Sequence, residues 1–97
     1  MAKRSSIEMD VAVLQALSSS KLLKLTHIMY RANVNASILK EKLIALEEKG
    51  LIESHKLHKE HLTHKGKDRI FYGVTSKGLG VLHSYLSVYN ALGSVEQ

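Results

Sequence analysis

Residues 25–51 constrain this chain more than any other stretch. Ile28 and Met29 set apolar side chains on a short amphipathic segment that ends in the turn Ala32-Asn33-Val34-Asn35. Leu39, Leu43 and Leu46 then recur at i, i+4 and i+7, the spacing that holds one face of a helix against a core. Asn35 suits the N-cap, because its side-chain oxygen accepts an orphan amide of the first turn. Val34 at N′ and Leu39 at N4 have the spacing of a hydrophobic staple. Gly50 follows the last apolar position, where a residue of positive φ ends a helix, and Leu51 is placed to touch Leu46 in a Schellman arrangement. The pattern predicts a helix over 36–49. A shorter helix, starting at Lys21 or Lys24 and ending at Ala32, precedes it across the turn.

The flanks extend the pattern. A basic arm over 1–5 leads to a capping box of Ser5 and Glu8, and a helix from Ser6 carries Ile7, Val11, Leu14 and Leu17 or Ser18 on one side. Ser18-Ser19-Ser20 breaks that helix, since serine hydroxyls compete for backbone groups. After Gly50 the period changes. Residues 51–57 and 69–75 read as strands, the second alternating Ile70, Tyr72 and Val74 against Phe71 and Gly73. The polar, basic stretch 58–68 joins them. Thr75 is positioned to cap a last helix over 76–92. The expected fold is mainly α with a small β-hairpin, an α+β class. It is one domain over 1–97, made of two helices and a tight turn over 21–50, a hairpin wing over 51–75 and a closing helix. Two helices sharing one seam across so short a turn form a helix-turn-helix, and the hairpin after it makes the arrangement winged.

Bulk properties narrow the function classes. Ninety-seven residues with 44% apolar content suffice for one modest core. No run of about 18 apolar residues spans a bilayer, and the start Met-Ala-Lys-Arg-Ser-Ser has no secretory pattern. Absence of cysteine removes disulfides and thiolate metal sites and points to the cytoplasm. Enzyme readings fail for want of parts: Ser18-Ser19-Ser20 lack a neighbouring base, and no Gly-rich phosphate loop or carboxylate pair at a recognisable spacing is present. The net charge of +5 is unevenly spread. Lys56, Lys59, Lys65, Lys67, Arg69 and Lys77 fall in 51–78 against Glu53, Glu60 and Asp68, whereas 79–97 holds no Lys or Arg. A basic segment beside a charge-poor one suggests a polyanion face and a separate packing face; the plainer alternative is lysines that keep a small domain soluble.

The second helix of a helix-turn-helix lies in the major groove of DNA, its first residues nearest the bases. On 36–49 the side opposite the leucines offers Ala36, Ser37, Lys40 and Glu41, with Asn35 at the cap and Lys42 at the flank. Ser37 suits a base or a phosphate, and Lys40 suits guanine or a phosphate. With no Arg or Gln there and a small Ala36, the expectation is weak base reading or apolar contact with thymine methyls. Glu47 and Glu48 are expected to point away. Thr26 and Arg31 on the preceding helix are placed for the sugar-phosphate backbone. In the wing, Lys56, Lys59, Lys65, Lys67 and Arg69 supply charge, and a tip at 65–69 suits a narrow minor groove.

Two features remain. The last helix is apolar on two sides, with Leu79, Leu82, Leu86 and Tyr89 in one stripe and Val81, Tyr85, Val88 and Leu92 in another. One stripe is expected to pack on the domain and the other to meet a second copy, so Val81, Leu82, Tyr85, Leu86, Val88, Tyr89 and Leu92 are the candidate dimer residues. A single wide buried face in a monomer is the alternative. His55, His58, His61 and His64 recur every three residues. His58, His61 and His64 are weak metal candidates, because three-residue spacing suits neither a strand face nor a helix face and no cysteine assists. A loop whose histidines gain charge at acid pH is the other reading. No cofactor and no small-molecule effector is expected.

The stretch Ile28-Met29-Tyr30-Arg31-Ala32-Asn33 is similar to the I-M-Y-x-A-N of the small archaeal winged-helix regulators of the ArnR-like group. Leu39, Leu43, Leu46 and Gly50-Leu51-Ile52 resemble that group's third helix. Tyr72-x-x-Thr75-x-Lys77-Gly78 resembles the strand-to-helix junction found there and in PadR- and MarR-like proteins. The resemblance covers about 7–90 and implies homodimers that bind double-stranded DNA. The expected function is a homodimeric transcriptional regulator. Its rivals are a chromatin-like DNA coat of little sequence preference and a winged helix that binds proteins. The residues do not distinguish a cellular from a viral host.

Overall fold

The computed structural model describes residues 5–57 and 69–93. Within them the order is α1 (Ser6–Ser18), β1 (Leu23–Lys24), α2 (Leu25–Ala32), α3 (Ala36–Glu48), β2 (Ile52–Leu57), β3 (Arg69–Val74) and α4 (Ser76–Leu92). Local hydrogen bonds set most of these bounds. Ser5 and Glu8 exchange both bonds of the capping box, at 3.0 and 2.8 Å, so Ser5 belongs to the cap of α1 rather than to an arm. Asn35 accepts from the Ile38 amide at 3.0 Å, and Thr75 accepts from the Gly78 amide at 3.0 Å. α2 stops where Asn33 turns left-handed, with φ 57°, a conformation asparagine tolerates better than most residues. α3 ends as expected. Gly50 has φ 77°, its amide donates to the Glu47 carbonyl at 2.9 Å, and that of Leu51 donates to Leu46 at 3.0 Å, which is the Schellman pair.

The start of α2 corrects the sequence expectation. Residues 21–24 are not helical, and Leu23 and Lys24 pair with Tyr72 and Phe71 of β3. Gly73 permits this approach, since a Cβ there would stand 3.1 Å from the Lys21 carbonyl oxygen. β3 is therefore the central strand of an antiparallel sheet ordered β1-β3-β2. β2 and β3 form the expected hairpin, in register from Ile52 opposite Val74 to Leu57 opposite Arg69.

One core joins all layers. It takes Val11, Val13, Leu14, Ala16 and Leu17 from α1, Ile28 and Ala32 from α2, the three leucines of α3, and Leu51, Ile52 and Leu82 from beyond it. Ile7, expected on the buried stripe of α1, is 62% exposed, because the helix meets the core only from Met9 and Val11 onward. α4 is rotated differently from either predicted stripe. Gly78 and Leu82 are buried and Tyr85 and Leu86 half-buried, whereas Leu79, Val81, Val88, Tyr89 and Leu92 are exposed. Leu82, predicted for the dimer interface, is 5% exposed and belongs to the core of the chain itself. The cause is Gly78, whose missing side chain lets α4 rest on the Leu51 backbone and so points the residues one and two turns later inward.

Candidate nucleic-acid interface

The outward face of α3 is defined by what it excludes. Leu39, Leu43 and Leu46 are buried, and an α-helix turns about 100° per residue. Ser37, Lys40, Glu41 and Ile44 therefore lie on the side away from the core, and all four are exposed. Ala36 is half-buried. At the amino end, the Asn35 carboxamide oxygen holds the cap and also accepts the Ser37 hydroxyl at 3.1 Å. Asn35 and Ser37 are thus held by each other, and the Asn35 amide group is what that residue offers outward.

Lys42 departs from the expectation. Its side chain is 14% exposed, its ammonium lies 3.2 Å from the Asp10 carboxylate, and it donates to the Ser6 carbonyl at 3.2 Å and to the Ser6 hydroxyl. Lys42 clamps α3 to α1, on the flank away from the exposed side of the helix. Arg31 is exposed, but its guanidinium donates to the Ser19 and Ser20 hydroxyls at 2.9 and 3.0 Å. The serine run that breaks α1 thereby also anchors α2. Thr26 is exposed in the first turn of α2, whose N-cap, Lys24, makes no side-chain capping bond. That end of the helix presents its amides without an internal side-chain acceptor, an arrangement suited to anions.

The hairpin stands beside α3. Ser54 of β2 donates to the Glu47 carboxylate at 2.8 Å, turning this acid toward the sheet. Burial, and then the negative charge of Glu47, push the Tyr72 phenol above its ordinary range. Lys56 is exposed on β2 opposite Ile70. Paired residues of an antiparallel ladder share a face, which puts Lys56 on the face that carries Ser54 and Tyr72, toward α3. Arg69 opens β3; its side chain, and Lys59, Lys65 and Lys67, lie outside the described residues. His58, His61 and His64 lie outside them too. His55 is described, with its Nε2 at 3.2 Å from the Glu53 carboxylate. Among the described residues no group of three metal-ligating side chains occurs.

A groove of about 590 Å³ runs between α3 and the sheet, with Leu43, Ile44, Ile70 and Tyr72 among its walls and Lys40 and Thr26 at its edge. One residue here escaped the sequence reading. Ile44 is 62% exposed, and its position seven residues after Ser37 was the available signal. Lys77 donates to the Lys49 carbonyl at 2.8 Å, and Thr75 donates to the Gly50 carbonyl at 2.7 Å. Together they bind the end of α3 to the start of α4, a contact no local pattern announces.

A family model described as winged helix-turn-helix matches residues 3–92. A PadR family transcription regulator from Clostridium difficile shares the fold with a TM-score of 0.74 at 19% identity, over 87% of this chain and 88% of that one. Sso10a-2, a DNA-binding protein from Sulfolobus solfataricus, gives a TM-score of 0.65 at 17% identity, over 92% and 85%. MepR from S. aureus, solved in complex with DNA, gives 0.65 at 20% identity, over 92% and 68%. No curated sequence matches this one. At such identities the structures speak for the fold, while the family match spans nearly the whole chain. With its helix pair, three-stranded sheet and hairpin, the chain belongs to the winged helix-turn-helix family.

Proposed function

We propose that the protein binds double-stranded DNA as a homodimer and regulates transcription. The observation that carries this reading is the outward side of α3, where Asn35, Ser37, Lys40 and Glu41 stand exposed on a helix whose other side is seated in the core. In this reading α3 enters the major groove. Thr26 meets the sugar-phosphate backbone, as does Arg31, which stays exposed while bonded to the Ser19 and Ser20 hydroxyls, and Lys56, Lys59, Lys65, Lys67 and Arg69 carry the wing along the backbone or into the minor groove. Lys42 drops out, being committed to α1. Sso10a-2 and MepR, which are described respectively as a DNA-binding protein and as a complex with DNA, support extending that partner to this chain. No described helix is long and apolar enough to cross a membrane, and we place the protein with DNA in the cytoplasm.

The exposed side of α4 supports the dimer. Val81, Val88, Tyr89 and Leu92 are exposed, Leu92 by 77%, and Tyr85 and Tyr89 stack with centroids 6.0 Å apart beside them. Apolar side chains so placed on a helix are more stable against a second copy than in water. Two recognition helices about 34 Å apart would then read successive major grooves. Val88→Glu with Leu92→Glu is expected to halve the mass measured by light scattering and leave the melting temperature within a few degrees. A wild-type chain that is monomeric at tens of micromolar removes the dimer.

A coat-like role is the second reading. Lys40 is the one exposed cation in the first two turns of α3, Lys42 being held by Asp10, and the Ser37 hydroxyl is bonded to Asn35, which limits base reading. A titration of random and selected duplexes at 50 and 200 mM salt decides. The regulator is expected to prefer the selected duplex and to lose roughly a thousandfold or more in affinity across that range. Equal affinity with the same salt slope makes it a coat, and no binding to either duplex makes it a protein-binding module.

A further inference from the structure

We infer that Ile44 is a thymine-reading residue: its side chain takes the 5-methyl group of a thymine in the major groove and supplies sequence preference that the polar residues of α3 lack. This rests on the reading that α3 lies in that groove.

The first ground is position. Ile44 and Ser37, seven residues apart, fall within about 20° of each other around the helix, and the buried leucines occupy the far side. Ile44 therefore lies on the exposed side with Ser37, at the edge of it nearest the sheet, where it also lines the groove with Ile70 and Tyr72. It has no place in the core or among the side chains packed on it.

The second ground is chemistry. A large β-branched side chain that is 62% exposed gains nothing from water, and it supports a helix less well than alanine would. Its neighbours on this face, Ser37, Lys40 and Glu41, are all polar. In the major groove the apolar feature of the base edges is the thymine methyl, and aliphatic contact with it distinguishes T·A from the other pairs. The acidic turn of Glu47 and Glu48 follows directly, and Glu47 is bonded to Ser54 of the sheet, so the helix meets the duplex no further along than Ile44. Lys40 and Ile44 are one turn apart, about 6 Å along the axis, or roughly two base-pair steps. A preferred site should hold its critical thymine about two pairs from the base or phosphate met by Lys40.

The test begins with duplexes selected from a random pool by the full chain. Each dT is then replaced singly by deoxyuridine, which removes only the methyl group, and affinity is read by fluorescence anisotropy at fixed salt. At one or two positions per half-site the wild type should lose about fourfold, the equivalent of one buried methyl or methylene group. Ile44→Ala should bind the selected duplex several-fold more weakly and lose nothing further on deoxyuridine at those positions. Its affinity for random duplex should fall less than its affinity for the selected duplex, and its melting temperature should be unchanged or slightly higher. A wild type indifferent to every replacement overturns the inference while leaving DNA binding intact. So does an Ile44→Ala protein that keeps the full deoxyuridine penalty, or one equally weakened on random duplex, which would assign Ile44 to the groove beside the sheet instead. If no duplex binds at all, the DNA reading itself fails and Ile44 with it.

Discussion

Replacing Gly78 by alanine is expected to destabilise the domain by about 3 kcal/mol or more, a large fraction of the roughly 5–15 kcal/mol that holds a domain of this size together. A Cβ on Gly78 would lie 2.1 Å from the Leu51 carbonyl oxygen and 2.7 Å from Val74 Cγ2. The backbone has little room to yield. Leu51 accepts the Thr75 amide at 3.1 Å, the Thr75 hydroxyl donates to Gly50, and the Gly78 amide itself donates to Thr75. Moving α4 outward to relieve the clash breaks this knot and withdraws Leu82 from the core. Thermal unfolding should show a midpoint at least about 12 °C lower, at the usual 4–8 °C per kcal/mol for such domains. Gly80 provides the control. No atom lies within 4 Å of a Cβ built there, and Gly80→Ala should stabilise the helix by up to about 1 kcal/mol. A Gly78→Ala protein that melts within a few degrees of the parent would mean that α4 does not seat on Leu51.

Reversing the charge of Lys40 should abolish most duplex binding with the fold intact. In the proposed complex α3 lies in the major groove; Lys40 is exposed on the outward side of that helix and borders the space between it and the sheet. Loss of one such contact is worth about 1–3 kcal/mol, and a dimer loses it in both half-sites. Lys40→Glu is therefore expected to weaken a two-site duplex by roughly a hundredfold or more, with Lys40→Gln between it and the parent. Lys49→Glu makes the same change in net charge at the opposite end of α3, where Lys49 is the C-cap. It should cost only the few-fold expected of weaker long-range attraction. Anisotropy titrations of the three proteins on one duplex measure this directly. Equal losses for Lys40→Glu and Lys49→Glu would reduce the contribution of Lys40 to bulk charge and remove α3 from the groove.

The parts legible in the sequence are those held by hydrogen bonds between residues a few positions apart. Ser5 with Glu8, Asn35 with Ile38, Thr75 with Gly78, and Gly50 after Leu46 set the ends of α1, α3 and α4 without reference to the rest of the chain. The exposure of Ser37, Lys40 and Glu41 was legible for a related reason, since three leucines at helical spacing specify the opposite side. Lys42 was not, because its partner Asp10 lies 32 residues earlier and no periodicity connects them. Arg31 shows the same limit through Ser19 and Ser20. β1 was missed because two residues have no strand signal of their own and exist as a strand only through β3, almost fifty residues away.

Taken alone, the sequence determined which segments are helix and hairpin, where the helices end, and that one side of α3 is polar, because each of these follows from side-chain period and short-range capping. The tertiary structure decided the rotation of α4, the third strand, and which cations stay available. Two stripes of equal apolar character surround α4, and period alone cannot show that the buried side takes residues from both; the contact of Gly78 with Leu51 sets that rotation, turning Leu82, Tyr85 and Leu86 inward. Whether a lysine faces solvent or a carboxylate depends on chain segments brought together by the core, and that information appears only when the layers have packed.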